Sequence, residues 1–243
     1  MATASVVPSP PAGRNLIAPV WHTVLLVLIF FALTVAGAVF QRNAQAAPGM
    51  LQQHPNVVPL YLSMMGSEWL LIYGVWAGIH RRGGKLRDLI GGRWASAKDV
   101  LVDLAVALVV WILWIGIQYG VVALWGASQA RSISVLLPQR GIEVFLWFAV
   151  SITAGISEEI TFRGYFQKQF EAMTGSAAAG LILQGVLFGI SHGYQGLRAV
   201  IMIVLYGLLY GVVASTRKSL RPGIIAHGWS DVYAGYLYQF LPH

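Results

Sequence analysis

The stretch Ile156-Ser157-Glu158-Glu159-Ile160-Thr161-Phe162-Arg163 sets two adjacent carboxylates at the end of an apolar run. Residues 142–156 ahead of it are predominantly apolar, with Glu143 as their one charge, and an apolar helix of that length points into a bilayer. Charges beside such a run are costly and usually functional. On a helix Glu159 and Arg163 are four apart and share a face, so the guanidinium neutralises Glu159 and supports the helix. Glu158 lies about 100° around the helix from Glu159, where Arg163 is poorly placed to satisfy it. Glu158 is therefore the carboxylate to suspect of chemistry. The plainer reading of the stretch is a salt-bridged turn that ends a span.

Composition describes the surroundings of that stretch. Of 243 residues 57% are hydrophobic and 10% charged, where a soluble domain carries about 25% charged residues. The chain reads as an integral membrane protein. A net charge of +7 would suggest nucleic acid in a soluble chain. Here the basic residues fall in short loops between apolar runs and report topology, so the expected partner is the lipid bilayer and not nucleic acid. Cysteine is absent, which excludes disulfides, thiolate metal sites, a cysteine nucleophile and lipid attachment at cysteine. Ala44-Gln45-Ala46 looks like a signal-peptide cleavage site. The run before it, 20–40, exceeds an h-region of about 7 to 15 residues and is led only by Arg14, so it reads as a retained first span.

Residues 1–19 hold Pro8, Pro10, Pro11 and Pro19 and read as a flexible tail; 20–243 reads as a single membrane-embedded domain. Seven apolar segments approach the roughly 20 residues a span needs: 20–40, 57–79, 100–125, 142–160, 177–191, 197–215 and 223–241. The expected fold is all-α, a polytopic bundle of about seven spans. With the N-terminus cytoplasmic, twelve Lys and Arg fall on inner segments and four, Arg42, Arg131, Arg140 and Arg198, on outer ones, as cytoplasmic loops prefer. Gly74 and Gly78, Gly116 and Gly120, Gly185 and Gly189, and Gly207 and Gly211 have small-xxx-small spacing, which permits close helix approach. Trp21, Trp69, Trp125 and Tyr238 read as interfacial aromatics. Apolar residues at 165, 166, 170 and 173 have helical spacing, predicting an amphipathic surface helix over 165–173 that turns back at Thr174-Gly175.

Two further polar positions interrupt apolar runs. His192 closes Phe188-Gly189-Ile190-Ser191-His192, and His227 lies four residues before Asp231 on one helical face. A lone intramembrane histidine is commonly a helix-helix hydrogen bond. Two His, two Glu and one Asp in separate apolar segments of a chain with nine acidic residues are hard to assign to packing. Such a set suits activation of water against a carbonyl: a partly desolvated Glu as general base, imidazoles as oxyanion or leaving-group partners. The same residues could hold a zinc ion through Glu158, His192 and His227, although His-Glu-x-x-His is absent. A proton relay of a transporter through Glu158 and His192 is a further alternative.

Taken together, Glu158-Glu159-x-x-x-Arg163, Phe188-x-x-x-His192 and His227-x-x-x-Asp231 resemble the CPBP family, the CAAX protease and bacteriocin-processing or Abi proteins, over about 142–241. That resemblance implies an intramembrane endopeptidase similar to the Ras-converting type, which removes the last three residues of prenylated proteins. By resemblance, Glu158 would activate water, Glu159 with Arg163 would support it, and His192 and His227 would complete the site, with no cofactor required unless a zinc ion is used. A non-enzymatic immunity or scaffold member of the same fold is the main alternative. The last motif position in the family is Asn or Asp. Asp231 as a carboxylate cannot donate the hydrogen bond an Asn could, which favours a histidine-orienting or metal role. One geometric difficulty follows from helix rise. Counted from Arg221 and from Ala177 as if both stood level, His227 lies about 9 Å and His192 about 22 Å inward, so either the fifth segment tilts or breaks at its glycines or the surface helix dips inward.

Overall fold

The computed structural model describes residues 15–46, 56–126, 137–139 and 141–237, and every regular element among them is helical. Each of the seven apolar segments forms one helix: α1 Val20–Ala46, α2 Val58–His80, α4 Ala97–Trp125, α5 Gly141–Glu158, α7 Ala177–Ser191, α8 Leu197–Arg217 and α9 Arg221–Leu237. Between them lie the short α3 Leu86–Ile90, a π-helical turn at Glu159–Phe166 running into α6 Gln167–Thr174, and a 3₁₀ turn at Gly193–Gln195. Among the described residues four helical stretches can, by length and composition, cross a membrane: Val20–Val39, Ala97–Trp125, Gly141–Thr174 and Leu197–Arg217. Ala177–Ser191 is a shorter apolar helix. Large apolar side chains such as Leu101, Leu124, Phe145 and Leu197 face outward, a surface that would associate in water and that lipid tails cover. The protein is a polytopic helical bundle of the membrane.

Glycine and glutamine set how closely the helices approach. A Cβ on Gly207 would stand 2.8 Å from Gly185 Cα, and one on Gly155 would stand 2.7 Å from Gly228 N, so α7 touches α8, and α5 touches α9, backbone to backbone. Gly116 and Gly120 have nothing within 4 Å of an added Cβ; their spacing matches the motif but makes no contact. Gln184 Nε2 donates to Gly207 O at 2.8 Å and Gln167 Nε2 to Gly211 O at 3.1 Å. These bonds stitch α7 and α6 to α8, satisfying backbone carbonyls that lipid could not.

The amphipathic segment departs from its expected form. Lys168, Glu171 and Thr174 are exposed, but Tyr165 and Phe166 are wholly buried. The helix does not break after Arg163. It widens into the π turn and continues, so 141–174 is one stretch. Tyr165 anchors that turn to α1 and α2: its hydroxyl lies 2.8 Å from His22 Nδ1 and 2.9 Å from Thr23 Oγ1, while His22 Nε2 donates to Gly74 O. The His22 ring fills the notch at Gly78, where a Cβ would come within 2.4 Å of it. Residues 17 and 18, which the sequence assigns to the tail, are docked, since Gln169 accepts from both amides and donates to Ala18 O. Trp69 lies mid-helix on α2 and not at a span end; Tyr238 lies outside the described residues.

Candidate active site

The site is assembled where α5 becomes the π turn. Glu158 ends α5 and Glu159 opens the turn, and π segments inside helices occur frequently at functional sites. Glu159 and Arg163 are both wholly enclosed and pair at 3.0 Å, Nη1 to Oε1. The guanidinium lies 4.3 Å above the Phe188 ring and within 5.7 Å of those of Tyr206 and Tyr210, an aromatic cage that favours a desolvated cation. Glu159 Oε2 has no hydrogen-bond partner and rests against Gly223, where a Cβ would come within 2.8 Å of it.

His227 joins the two glutamates, although α-helical spacing turns them about 100° apart. Its Nδ1 lies 3.0 Å from Glu159 Oε1. A carboxylate only accepts, so Nδ1 carries the proton and Nε2 is the free nitrogen of the neutral ring. Nε2 faces Glu158 Oε2 at 3.5 Å and Asp231 Oδ2 at 3.7 Å. The two outer carboxylates are also the accessible ones, with Glu158 16% and Asp231 37% exposed, against none for Glu159. The network therefore runs from a sealed ion pair, through one imidazole, to two carboxylates that a ligand can reach.

His192 caps α7 one side chain away. Its Nδ1 donates to Phe188 O at 2.9 Å, which fixes the tautomer and leaves Nε2 unprotonated in the neutral ring. Its ring lies 5.0 Å from Phe188, and the His227 ring lies 6.2 Å from the same phenyl group. The two histidines thus border one phenylalanine without the expected break, for α7 is continuous from Ala177 to Ser191. Their approach comes from stagger. Gly223, near the start of α9, stands beside Glu159, whereas Gly180, near the start of α7, stands beside Gln167 and Glu171. Eight residues separate Glu159 from Gln167, about 12 Å of helix, and that offset absorbs the roughly 13 Å mismatch computed for level starts.

Three groups at the site escaped the sequence reading. Ser157 donates from its hydroxyl to Glu68 Oε2, and the Glu68 carboxylate is close enough to Glu158 and Asp231 to be repelled by both. Glu68 is the one charge in 57–79, and a lone intramembrane carboxylate was the signal available. Tyr194, on the 3₁₀ turn, stacks on His192 at 6.2 Å. Burial pushes its phenol above the usual range, the hydrogen bond its oxygen accepts from Gln195 opposes that, and the negative charges of Glu158, Glu68 and Asp231 add to the rise. Of the six residues singled out in the sequence, Glu158, Glu159, Arg163, His227 and Asp231 form one connected cluster, and His192 borders it through Phe188. Among the described residues no three His, Asp or Glu side chains are grouped as a metal site would group them; the trio of Glu158, His192 and His227 does not form a ligand set.

Comparison with known proteins bears on the part of the chain that builds this cluster. No curated protein and no solved structure matches the chain. The family model described as type II CAAX prenyl endopeptidase Rce1-like matches residues 140–233, a segment holding all six residues but not Glu68. Over that segment the chain is similar to the CAAX protease family, CPBP, whose model describes a prenyl endopeptidase.

Proposed function

We propose that the protein is an intramembrane endopeptidase in which Glu158 activates water against the scissile carbonyl of a membrane-anchored or prenylated peptide. The observation that carries this reading is the imidazole of His227, held by a sealed carboxylate on Nδ1 and presented on Nε2 to two accessible carboxylates. Gaps of 3.5 and 3.7 Å exceed a good hydrogen bond and suit a bridging water. Glu158 takes a proton from that water as its oxygen bonds to the carbonyl carbon. The carbon-nitrogen bond then breaks, and the proton passes from the Glu158 carboxyl to the departing nitrogen, leaving a carboxylate and an amine.

The other residues serve this step. Arg163 pairs with Glu159, and Glu159 fixes the tautomer of His227, as a carboxylate behind a catalytic imidazole does. His192 is assigned to the developing oxyanion, for which its imidazolium form, protonated on Nε2 as well as on Nδ1, is a suitable donor. No step is routed through a zinc ion, because the residues named for one are not grouped around a common centre. The site opens toward the cytoplasmic half, with the N-terminus cytoplasmic. The basic stretches 81–98 and 217–221 lie together at one end of the bundle, where Leu220 N donates to Ile90 O, consistent with an inner face. A reporter inserted at 83–84 is expected on the cytoplasmic side.

Purified protein incubated with membrane-anchored peptides, prenylated and not, and followed by mass spectrometry of the products tests the activity. A product shortened by a defined number of C-terminal residues is expected. Binding without cleavage fits the immunity or scaffold reading and overturns this one.

A further inference from the structure

We infer that Glu68 is a positioning residue of the active site, holding the turn that carries Glu158 through its hydrogen bond from Ser157. This inference rests on the proposed endopeptidase reading. Glu68 stands on α2, outside the segment that matches the family, and its partner is 89 residues away in sequence. Ser157 is wholly buried and immediately precedes Glu158, where the α-helix gives way to the π turn. Several other hydroxyls bond back to a carbonyl of their own helix, as Thr153 does to Ala149 O, Ser67 to Met64 O and Ser230 to Ala226 O. That is the habitual choice for Ser and Thr in a helix. Ser157 instead donates across the interface to α2.

The geometry of that bond determines what it can do. At an α-to-π junction the intrahelical ladder changes register, so backbone hydrogen bonds alone define the junction less firmly than they define a regular helix. A lateral bond from the residue before Glu158 to a neighbouring helix supplies the missing constraint. It also brings a third carboxylate up to Glu158 and Asp231. On the far side of that junction Glu158 Oε2 faces His227 Nε2 at 3.5 Å. A carboxylate kept in an apolar helix with no cationic partner among the described residues is otherwise difficult to explain.

The test uses the full-length protein in membranes and a cleaved anchored peptide. Glu68→Ala and Ser157→Ala should each lower kcat by about tenfold to a hundredfold, the range for a lost hydrogen bond to a charged group, with KM unchanged. The double variant should be no worse than either single one, because both remove the same bond. Glu68→Gln keeps an acceptor for the Ser157 hydroxyl and should restore most of the rate. A purely structural role would change the fraction folded and leave the rate per folded molecule untouched. Additive losses, or a Glu68→Gln variant as damaged as Glu68→Ala, would overturn the inference.

Because the chain has no cysteine, a Glu68→Cys, Ser157→Cys variant also tests the contact without activity. Oxidation should cross-link α2 to α5. Failure to cross-link overturns the placement of Glu68. Cross-linking in this variant together with a wild-type protein that cleaves nothing overturns the endopeptidase reading, and the role assigned to Glu68 with it.

Discussion

Two buried carboxylates in this protein each sit with arginine, and they differ in what is left over. Asp103 on α4 is wholly enclosed and fully used. Oδ1 accepts from Arg217 at 3.1 Å, while Oδ2 accepts from Trp94 Nε1 at 2.8 Å and lies 2.9 Å from Arg221 Nε. Arg221 also stacks over Trp94 at 5.2 Å. Glu159 is as deeply enclosed, but Arg163 and His227 share one of its oxygens and the other has no hydrogen-bond partner. The Asp103 cluster is closed and clamps α4 to the facing ends of α8 and α9. The Glu159 cluster is open at its far end, where His227 passes the connection to Glu158 and Asp231. A saturated ion-pair network holds structure, whereas one with a free nitrogen facing accessible carboxylates can move a proton.

The largest expected effect comes from breaking the open cluster at its sealed end. Glu159→Ala strands the Arg163 guanidinium in the bundle without an anion, and loss of one partner of a buried pair costs about 3–5 kcal/mol. Stability in a denaturant titration and cleavage should fall together. A variant as stable as the wild type would show that the aromatic cage alone holds Arg163.

The closed cluster should respond differently. Asp103→Asn leaves Arg217 and Arg221, both partly accessible to solvent, and should cost about 2 kcal/mol. The rate per folded molecule should not change, since no atom of that cluster is shared with the site. A loss of kcat at full folding would mean that the two clusters are coupled through α9.

Helix contacts offer a third, smaller contrast. Gly155→Ala drives a methyl group into the α9 backbone at Gly228 and should cost about 1–3 kcal/mol as overpacking. Gly116→Ala meets open space and should stay within about 0.5 kcal/mol of the wild type. Thermal unfolding in one detergent compares the two, and equal losses would mean that an unseen neighbour covers Gly116.

How much of this was readable in the chain depended on how far apart the partners lie. Glu159 and Arg163 are four residues apart, and local periodicity was enough to pair them and to single out Glu158. The seven apolar segments were readable because each is long and continuous. Glu68 and Asp103 were not, since their partners lie 89 and 114 residues away, and a lone carboxylate in an apolar run does not name its partner. The widening of the helix at Glu159–Phe166 was also hidden. It arises from burial of the whole turn against α1, α3 and α7, and no residue there announces it. That His192 and His227 border one phenylalanine looked impossible in one dimension, because stagger between helices is a property of packing.

A still smaller effect concerns Asp231, the most exposed member of the cluster. Asp231→Asn keeps a hydrogen-bonding side chain beside His227 Nε2 and should change kcat by less than about tenfold if that residue only orients the ring. Metal depletion should leave activity intact, with 1,10-phenanthroline no more inhibitory than a non-chelating isomer. Stoichiometric zinc that is lost in His192→Ala, and whose return restores activity, would replace this account with a metal-centred one.

The claim that Glu158 is the base has one direct measurement, the single-turnover cleavage rate of an anchored peptide by Glu158→Gln beside the wild type, with folding and substrate binding checked in the same samples. The amide keeps the shape and cannot take the proton of water. The account predicts a fall of about 10² to 10⁴ in rate with the protein folded and substrate bound as before. A near-normal rate from folded Glu158→Gln would contradict it.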